Sequence, residues 1–337
     1  MTIQELIRRV KAEFNYRFYN KYRFRRVVRH RLMRYYTADA PRACNEQKQV
    51  IAMFDGRKRH GGLADRLRGL ATTYIFCRER GLDFRIHFVS PFRLEEYLEP
   101  NGYDWRIAPE EICYNSCDAR PVYISSSNRY PERDKAFQRK MAELFFGEEY
   151  RQLHSYTNMR FEEERFGEAF HELFRPQAWL QELIDGELTK LGGAGNFLAV
   201  STRFMESLGD FNESADRAAQ ALPEAEQEAL LARCSEQLAR IHQEHPDQPI
   251  LVTSDSGRFL AYVTARHPYV CTLPGKIGHM DVAGAGEREV HTKTFLDFLV
   301  LAEAAEHFYL VGPHMYRGNF SRRAAQINNR PFHEIYF

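Results

Sequence analysis

The sequence predicts an α/β protein in two halves, each a parallel sheet flanked by helices. Three observations point to it. An apolar run at 49–54 leads through a glycine loop into a helix-spaced segment, with Leu63, Leu67, Leu70, Tyr74 and Cys77 on one face. Short apolar runs alternate with helical patterns again from Phe197 onward. Between the two, residues 132–191 read as mainly helical, as a connection between α/β halves.

Taken in order, residues 37–48 are polar, contain Pro41 and read as a linker. Strand 49–54, helix 63–80 and strand 83–89 form a β-α-β unit, which implies a parallel pair with a right-handed crossover. Pro91 opens a short helix to about residue 98, residues 101–120 read as irregular, and 122–125 is a further strand. The helical region breaks near Gly147 and Pro176. Gly192-Gly193-Ala194-Gly195 ends a helix and precedes strand 197–201, the reverse of a phosphate loop, so it reads as a helix cap and linker. A long helix at 223–245 follows, then strand 249–253, helix 257–265, strand 269–272, helix 294–305, strand 307–311 and helix 319–326. The expected domains are 49–175 and 176–326, with 327–337 as a tail. There is no internal repeat.

At 44% apolar and 28% charged, the chain has the composition of a soluble globular protein, and no apolar run approaches the length of a membrane span. The N-terminus is basic and has no apolar core of the kind a secretory signal needs. The cysteines, Cys44, Cys77, Cys113, Cys117, Cys234 and Cys271, are scattered and suit reduced thiols in a cytoplasmic protein. The overall charge of +1 hides an asymmetry: residues 1–36 carry a net +9. Eight aromatics stand among those charges, Phe14, Tyr16, Phe18, Tyr19, Tyr22, Phe24, Tyr35 and Tyr36. Such a segment suits an anionic membrane surface. A nucleic-acid arm and a helix packed on its own acidic body are the alternatives. The acidic body argues against nucleic acid.

Arg203, Asp255 and the 313–321 loop each follow a predicted strand, where parallel α/β sheets place ligands. That pattern alone fits a glycosyltransferase, an epimerase or a periplasmic-type binding protein equally. The Gly61-Gly62 loop opens a helix, so its backbone N–H groups suit an anion, as do those of Gly318-Asn319-Phe320-Ser321. An arginine at such a strand end suits an anionic group, and Arg203 would stabilise negative charge growing there with paired N–H donors. Arg66 and Arg68 flank the glycine loop, and one of them facing the site is an option. His279, two residues before Asp281, is the candidate base, with His60 a second option. Asp255 and Ser256 either hold a ligand at the strand end, or Asp255 caps the next helix. No Asp-x-Asp pair stands near a strand end, so no metal site is expected.

The ordered motifs resemble those of the fucosyltransferase superfamily, which includes protein O-fucosyltransferases, core α1,6-fucosyltransferases and bacterial relatives. Gly61-Gly62-Leu63-Ala64-Asp65-Arg66-Leu67 is similar to its Gly-Gly-x-Gly-Asn-x-Leu, with Ala64 and Asp65 replacing Gly and Asn. Residues 197–204 resemble its strand ending in His-x-Arg, with Arg203 as the arginine and Ser201 in place of His. Residues 250–256 resemble its Ala-Ser-Asp strand. Thr294 to Ala324 resembles its Asp-bearing helix, strand and Ser-Ser-Phe-Ser loop, with Gly318 and Asn319 for the two serines and Phe320 matching.

The resemblance implies a GT-B-like fold, two Rossmann-like domains facing a cleft. It implies inverting, metal-independent transfer of a sugar, fucose first, from GDP-fucose or a similar GDP-sugar to a glycan or lipid-linked glycan acceptor. It also implies that Asp297 reads guanine, since one carboxylate can accept from both N1–H and N2–H. Gly61, Gly62, Asp65, Asp255, Ser256, Gly318, Asn319, Phe320 and Ser321 are then donor-binding, Arg203 and His279 catalytic, and no cofactor beyond the donor is needed. With the basic segment, this places the enzyme in cell-surface polysaccharide or glycolipid synthesis, on the inner membrane face. A non-catalytic sugar-nucleotide or glycan-binding protein, or another sugar-nucleotide enzyme on the same fold, is the alternative.

Overall fold

Strand β1 (Gln49–Phe54) is buried along its whole length, as a central strand covered on both faces must be. The computed structural model describes residues 26–43, 45–124, 131–210, 221–278, 280 and 287–337. Most of the basic segment, His279 and Asp281 therefore lie outside the described residues. Two compact units emerge from the contacts. The first comprises Met1–His60, Arg66–Ser90 and Tyr103–Glu163; the second, Gly61–Asp65, Pro91–Gly102 and Glu164–Phe337.

In the first unit, β1 pairs in parallel with β2 (Asp83–Phe88) on one side and with β5 (Gln152–Ser155) on the other. Strand β4 (Ala119–Val122) completes the order β2-β1-β5-β4. Helix α1 (Leu63–Glu79) makes the expected crossover, with Leu67, Leu70, Tyr74 and Cys77 buried. Gly69 lets α1 approach the chain closely: a Cβ there would stand 2.7 Å from the Asn158 Cα. Helix α2 (Pro131–Phe146) precedes β5.

Strand β5 lies in a region read as helical from sequence. Its alternation fails as a signal because Gln152 and His154 are polar yet fully buried. Their cost is met by hydrogen bonds. Cys113 N donates to Gln152 Oε1 at 2.7 Å, and Gln152 Nε2 donates to Glu111 O at 2.7 Å. Since Gln152 Oε1 only accepts, His154 Nε2, 3.2 Å away, is the donor. Tyr36 then donates to His154 Nδ1 at 2.6 Å. Burial brings the His154 pKa down to about 3, which keeps the ring neutral in this role.

This same contact revises the reading of the N-terminal region. Tyr36, counted among the membrane-facing aromatics, is 6% exposed and packs with Cys113 and Ala119. The Tyr35 ring lies under the Arg57 guanidinium at 4.2 Å. Nor are residues 37–43 a loose linker. Asn115 Nδ2 donates to Ala38 O and Ala40 O, at 2.9 and 2.6 Å, and Asp118 accepts from Ala43 N at 3.0 Å and from the Arg42 fork.

The second unit holds a five-stranded parallel sheet in the order β11-β10-β7-β8-β9. Its strands are β7 (Leu198–Ser201), β8 (Ile250–Thr253), β9 (Val270–Cys271), β10 (Glu306–Val311) and β11 (Phe332–Tyr336). The unit's helices are α3 (Phe166–Leu173), α4 (Ala178–Lys190), α5 (Glu224–Glu244), α6 (Gly257–Thr264), α7 (Arg288–Ala302) and α8 (Phe320–Ile327). Leu231, Cys234, Leu238, Phe259 and Val263 pack on Leu198, Val200, Ile250 and Val252.

Strand β11 occupies the stretch read as a tail. It pairs in parallel with β10, and Glu334 on it accepts a two-pronged bond from Arg317 at 2.7 and 2.6 Å. The sequence boundary at 175/176 falls inside β6 (Phe174–Pro176), which pairs antiparallel with β3 (Leu98–Pro100). That pairing places Pro91–Gly102 with the second unit. The short helix expected at 91–98 is a single 3₁₀ turn, Leu94–Glu96.

Candidate active site

The site is built on the carboxyl ends of β7, β8 and β10. Strands β7 and β8 run in register, Ser201 opposite Thr253, and the two hydroxyls bond at 2.8 Å. One residue on, Thr202 Oγ1 donates to Ser254 Oγ at 2.9 Å. The strands therefore end together.

Asp255 uses that geometry. Its two oxygens accept from Phe204 N and Met205 N, each at 2.8 Å. Met205 sits at φ 54°, a left-handed backbone that a non-glycine residue adopts only when its surroundings hold it there. Between these anchors and β7 stands Arg203, its Nε 3.9 Å from Asp255 Oδ2. Burial raises the Asp255 pKa, opposed by the two backbone N–H groups and by Arg203. Asp255 is thus a clasp on the Arg203 loop and not the helix cap. Ser256 is the cap of α6, accepting from Phe259 N at 3.1 Å, while its own hydroxyl donates to Asp210 at 2.9 Å.

The loop after β10 closes over Arg203. Tyr316 N donates to Arg203 O at 2.8 Å, and the Arg203 guanidinium lies over the Tyr316 ring at 4.9 Å. Tyr309, on β10, donates to Tyr316 O and accepts from Gly318 N, both at 2.8 Å. Sequence reasoning missed both tyrosines: one sat in an apolar strand, the other between Met315 and Arg317, and neither carries a motif signal.

Beyond Gly318, Asn319 is exposed and starts α8 without a side-chain cap bond. Phe320 is an anchor, packed against Phe298 at 5.1 Å. Ser321 is 1% exposed, and its hydroxyl has no hydrogen-bond partner among the described residues.

Asp297 stands apart from this cluster, on α7. It forms an ion pair with Lys293 one turn earlier, and Lys293 is 6% exposed. Burial raises the Asp297 pKa, while Lys293 opposes the rise. The chain after β9 closes on this pair at Gly275, whose φ is +113° and whose Cβ would meet the Lys293 side chain at 3.0 Å.

The glycine loop is described by itself. Gly61 is left-handed at φ +78°, and a Cβ there would stand 3.2 Å from the Asp65 carboxylate, which folds back on the loop from the first turn of α1. Gly62 follows at the helix start. Arg66 and Arg68 are not open to ligand: Arg66 is 4% exposed and donates to Ser90 O at 2.8 Å, and Arg68 is 5% exposed. His60 is engaged with Asn158 at 3.2 Å.

The α1,6-fucosyltransferase NodZ, known from Bradyrhizobium and co-crystallised with GDP, matches with a TM-score of 0.54 over 83% of this chain and 92% of that one. The chain has a fucosyltransferase-like fold. A FUT1 variant from Arabidopsis thaliana in complex with GDP matches with a TM-score of 0.53, over 88% of this chain and 72% of that one. POFUT1 in complex with GDP matches with a TM-score of 0.51, over 88% and 99%. Sequence identities are 15%, 12% and 11% respectively, so the likeness is one of fold. Neither a family model nor a curated protein matches the sequence. In this fucosyltransferase-like fold the Arg203 cluster occupies strand ends of the second unit's sheet.

Proposed function

We propose that the protein is a glycosyltransferase that moves a sugar, fucose first among candidates, from a GDP-sugar to a glycan acceptor with inversion at C1. The observation that carries this reading is the confinement of Arg203 at the converging ends of β7, β8 and β10. Structural neighbours crystallised with GDP, and NodZ also soaked with GDP-fucose, support the donor. In the reaction the acceptor oxygen bonds to C1 as the bond from C1 to the diphosphate oxygen breaks. Arg203 takes up the charge that grows on the diphosphate. The N–H groups opening α8, Asn319 and the Ser321 hydroxyl, which has no partner among the described residues, hold phosphate oxygens. Asp297 reads the guanine edge with Lys293 beside it. Asp255 acts by holding the Arg203 loop, each of its oxygens accepting from a backbone N–H of that loop. The glycine loop Gly61-Gly62, with Asp65, lies against the donor, and His279 accepts the acceptor proton.

Turnover tests this reading. The full chain should release GDP from a GDP-sugar in the presence of a glycan acceptor and keep doing so in EDTA, because protein cations carry the charge a metal would carry. A strict need for Mn²⁺ or Mg²⁺ would overturn the metal-independent part. Preference for a UDP-sugar would overturn the donor assignment.

The location follows as part of the same proposal. Residues 1–25, which hold most of the basic and aromatic side chains of the first 36, dock the enzyme on anionic membrane at the cytoplasmic face, beside a lipid-linked acceptor. Each basic residue near such a surface contributes on the order of 1 kcal/mol. Co-sedimentation of the full chain with anionic vesicles should exceed that of a chain beginning at Arg26, which keeps the Tyr36 anchor. Equal sedimentation, or no preference over neutral vesicles, would return the segment to packing on its own unit.

A further inference from the structure

We propose that Tyr309 is the positioning residue of the leaving-group site, its hydroxyl holding the Tyr316-Arg317-Gly318 loop around Arg203. This rests on the glycosyl-transfer reading above and goes beyond it, since the Tyr309 hydroxyl is engaged by the loop itself, at Tyr316 O and Gly318 N. The placement begins with the sheet. Tyr309 lies opposite Ser201 in the parallel register of β10 and β7, and Arg203 follows Ser201 by two residues. A side chain long enough to reach past the end of β7 from that position meets the loop.

A phenol carries one proton and two acceptor lone pairs. Tyr309 uses the proton on Tyr316 O and a lone pair on Gly318 N, each at 2.8 Å. One atom thus fixes two points of the loop, one on each side of Arg317. The loop in turn confines Arg203. Tyr316 N holds the Arg203 carbonyl at 2.8 Å, and the Tyr316 ring lies 4.9 Å from the guanidinium carbon. Gly318 lies against the side chain: a Cβ there would be 3.2 Å from Tyr309 Oη and 3.4 Å from Arg203 Cδ. The room a serine at 318 would need is filled by the Tyr309 hydroxyl and Arg203, which accounts for glycine at this point of the loop. Tyr309 is 3% exposed, and burial pushes its pKa up to about 12, so the proton needed for Tyr316 O is retained at any working pH.

Without the hydroxyl, Tyr316 O and Gly318 N lose a shared partner, and the loop relaxes away from Arg203. Displacing a catalytic group by about 1 Å can cost on the order of a hundredfold in rate. Tyr309→Phe removes one oxygen and keeps the ring. In steady-state donor turnover it should lower kcat by roughly ten- to a hundredfold and change the donor KM by less than about threefold. The deciding measurement is coupling. On an Arg203→Ala background, Tyr309→Phe should cause no further loss, because the tyrosine acts through an arginine that is gone. Gly318→Ala, which presses on the same two side chains without removing a hydroxyl, should show the same kcat loss and the same lack of additivity.

The outcomes separate cleanly. Wild-type kcat in Tyr309→Phe overturns the proposal, as do losses that multiply with Arg203→Ala. If Tyr309→Phe does not fold, the Gly318→Ala and Arg203→Ala cycle decides alone, and multiplicative losses there overturn it. A wild-type chain inactive with every GDP-sugar defeats the functional reading itself, before any variant is compared.

Discussion

Arg203→Ala should lower donor turnover by two or more orders of magnitude, about the scale for losing a preorganised charge donor. The fold should survive. The backbone carbonyl of Arg203, which accepts from Tyr316 N at 2.8 Å and ties the two loops together, is untouched by truncation. Arg203→Lys should restore only part of the rate, because an ammonium lacks the planar fork of paired donors. Comparison of kcat for the three chains, at matched thermal melts, checks this. Near-normal turnover in the alanine chain would move the leaving-group role elsewhere.

Asp255→Asn should have the second-largest effect, and on two readouts at once. The carboxylate accepts from two adjacent backbone N–H groups, one on each oxygen. An asparagine amide offers one oxygen, and its NH₂ then faces an N–H donor. A buried donor left without an acceptor costs about 1–3 kcal/mol. The left-handed Met205 loses the bond that holds it, so the Arg203 loop relaxes as well. We expect a lower urea midpoint with unchanged slope, and turnover reduced by roughly tenfold or more. Loss of stability with full turnover would show that Asp255 serves the fold and not Arg203.

What could be read from the sequence, and what could not, follows from how each residue is buried. The apolar parallel strands at 49–54, 250–253 and 306–311 announce themselves because both faces are covered by helices. Strand β5 does not, because its buried Gln152 and His154 are satisfied by partners far away in sequence, at positions 36, 111 and 113. Strand β11 follows a short helix and carries His333 and Glu334, so its alternation is weak. At the site, Arg203 and Asp255 are visible because they end apolar strands. Their relation is not visible: nothing in a strand-end Asp says that it will accept from two backbone groups of a neighbouring loop. Tyr309 is hidden for the opposite reason, being an aromatic in an apolar strand, where packing is the ordinary expectation. Arg66 and Arg68 flank a glycine loop, which leaves open that one faces ligand, yet both are buried in the first unit.

The central claim is a GDP-sugar site, and direct titration with nucleoside diphosphates tests it most directly. Isothermal calorimetry of the full chain with GDP, UDP and ADP, at equal concentration and without added metal, reads donor recognition free of any acceptor. GDP should bind measurably, at least about tenfold tighter than UDP or ADP, a difference of roughly 1.4 kcal/mol or more. Binding of UDP as tight as or tighter than GDP would contradict it.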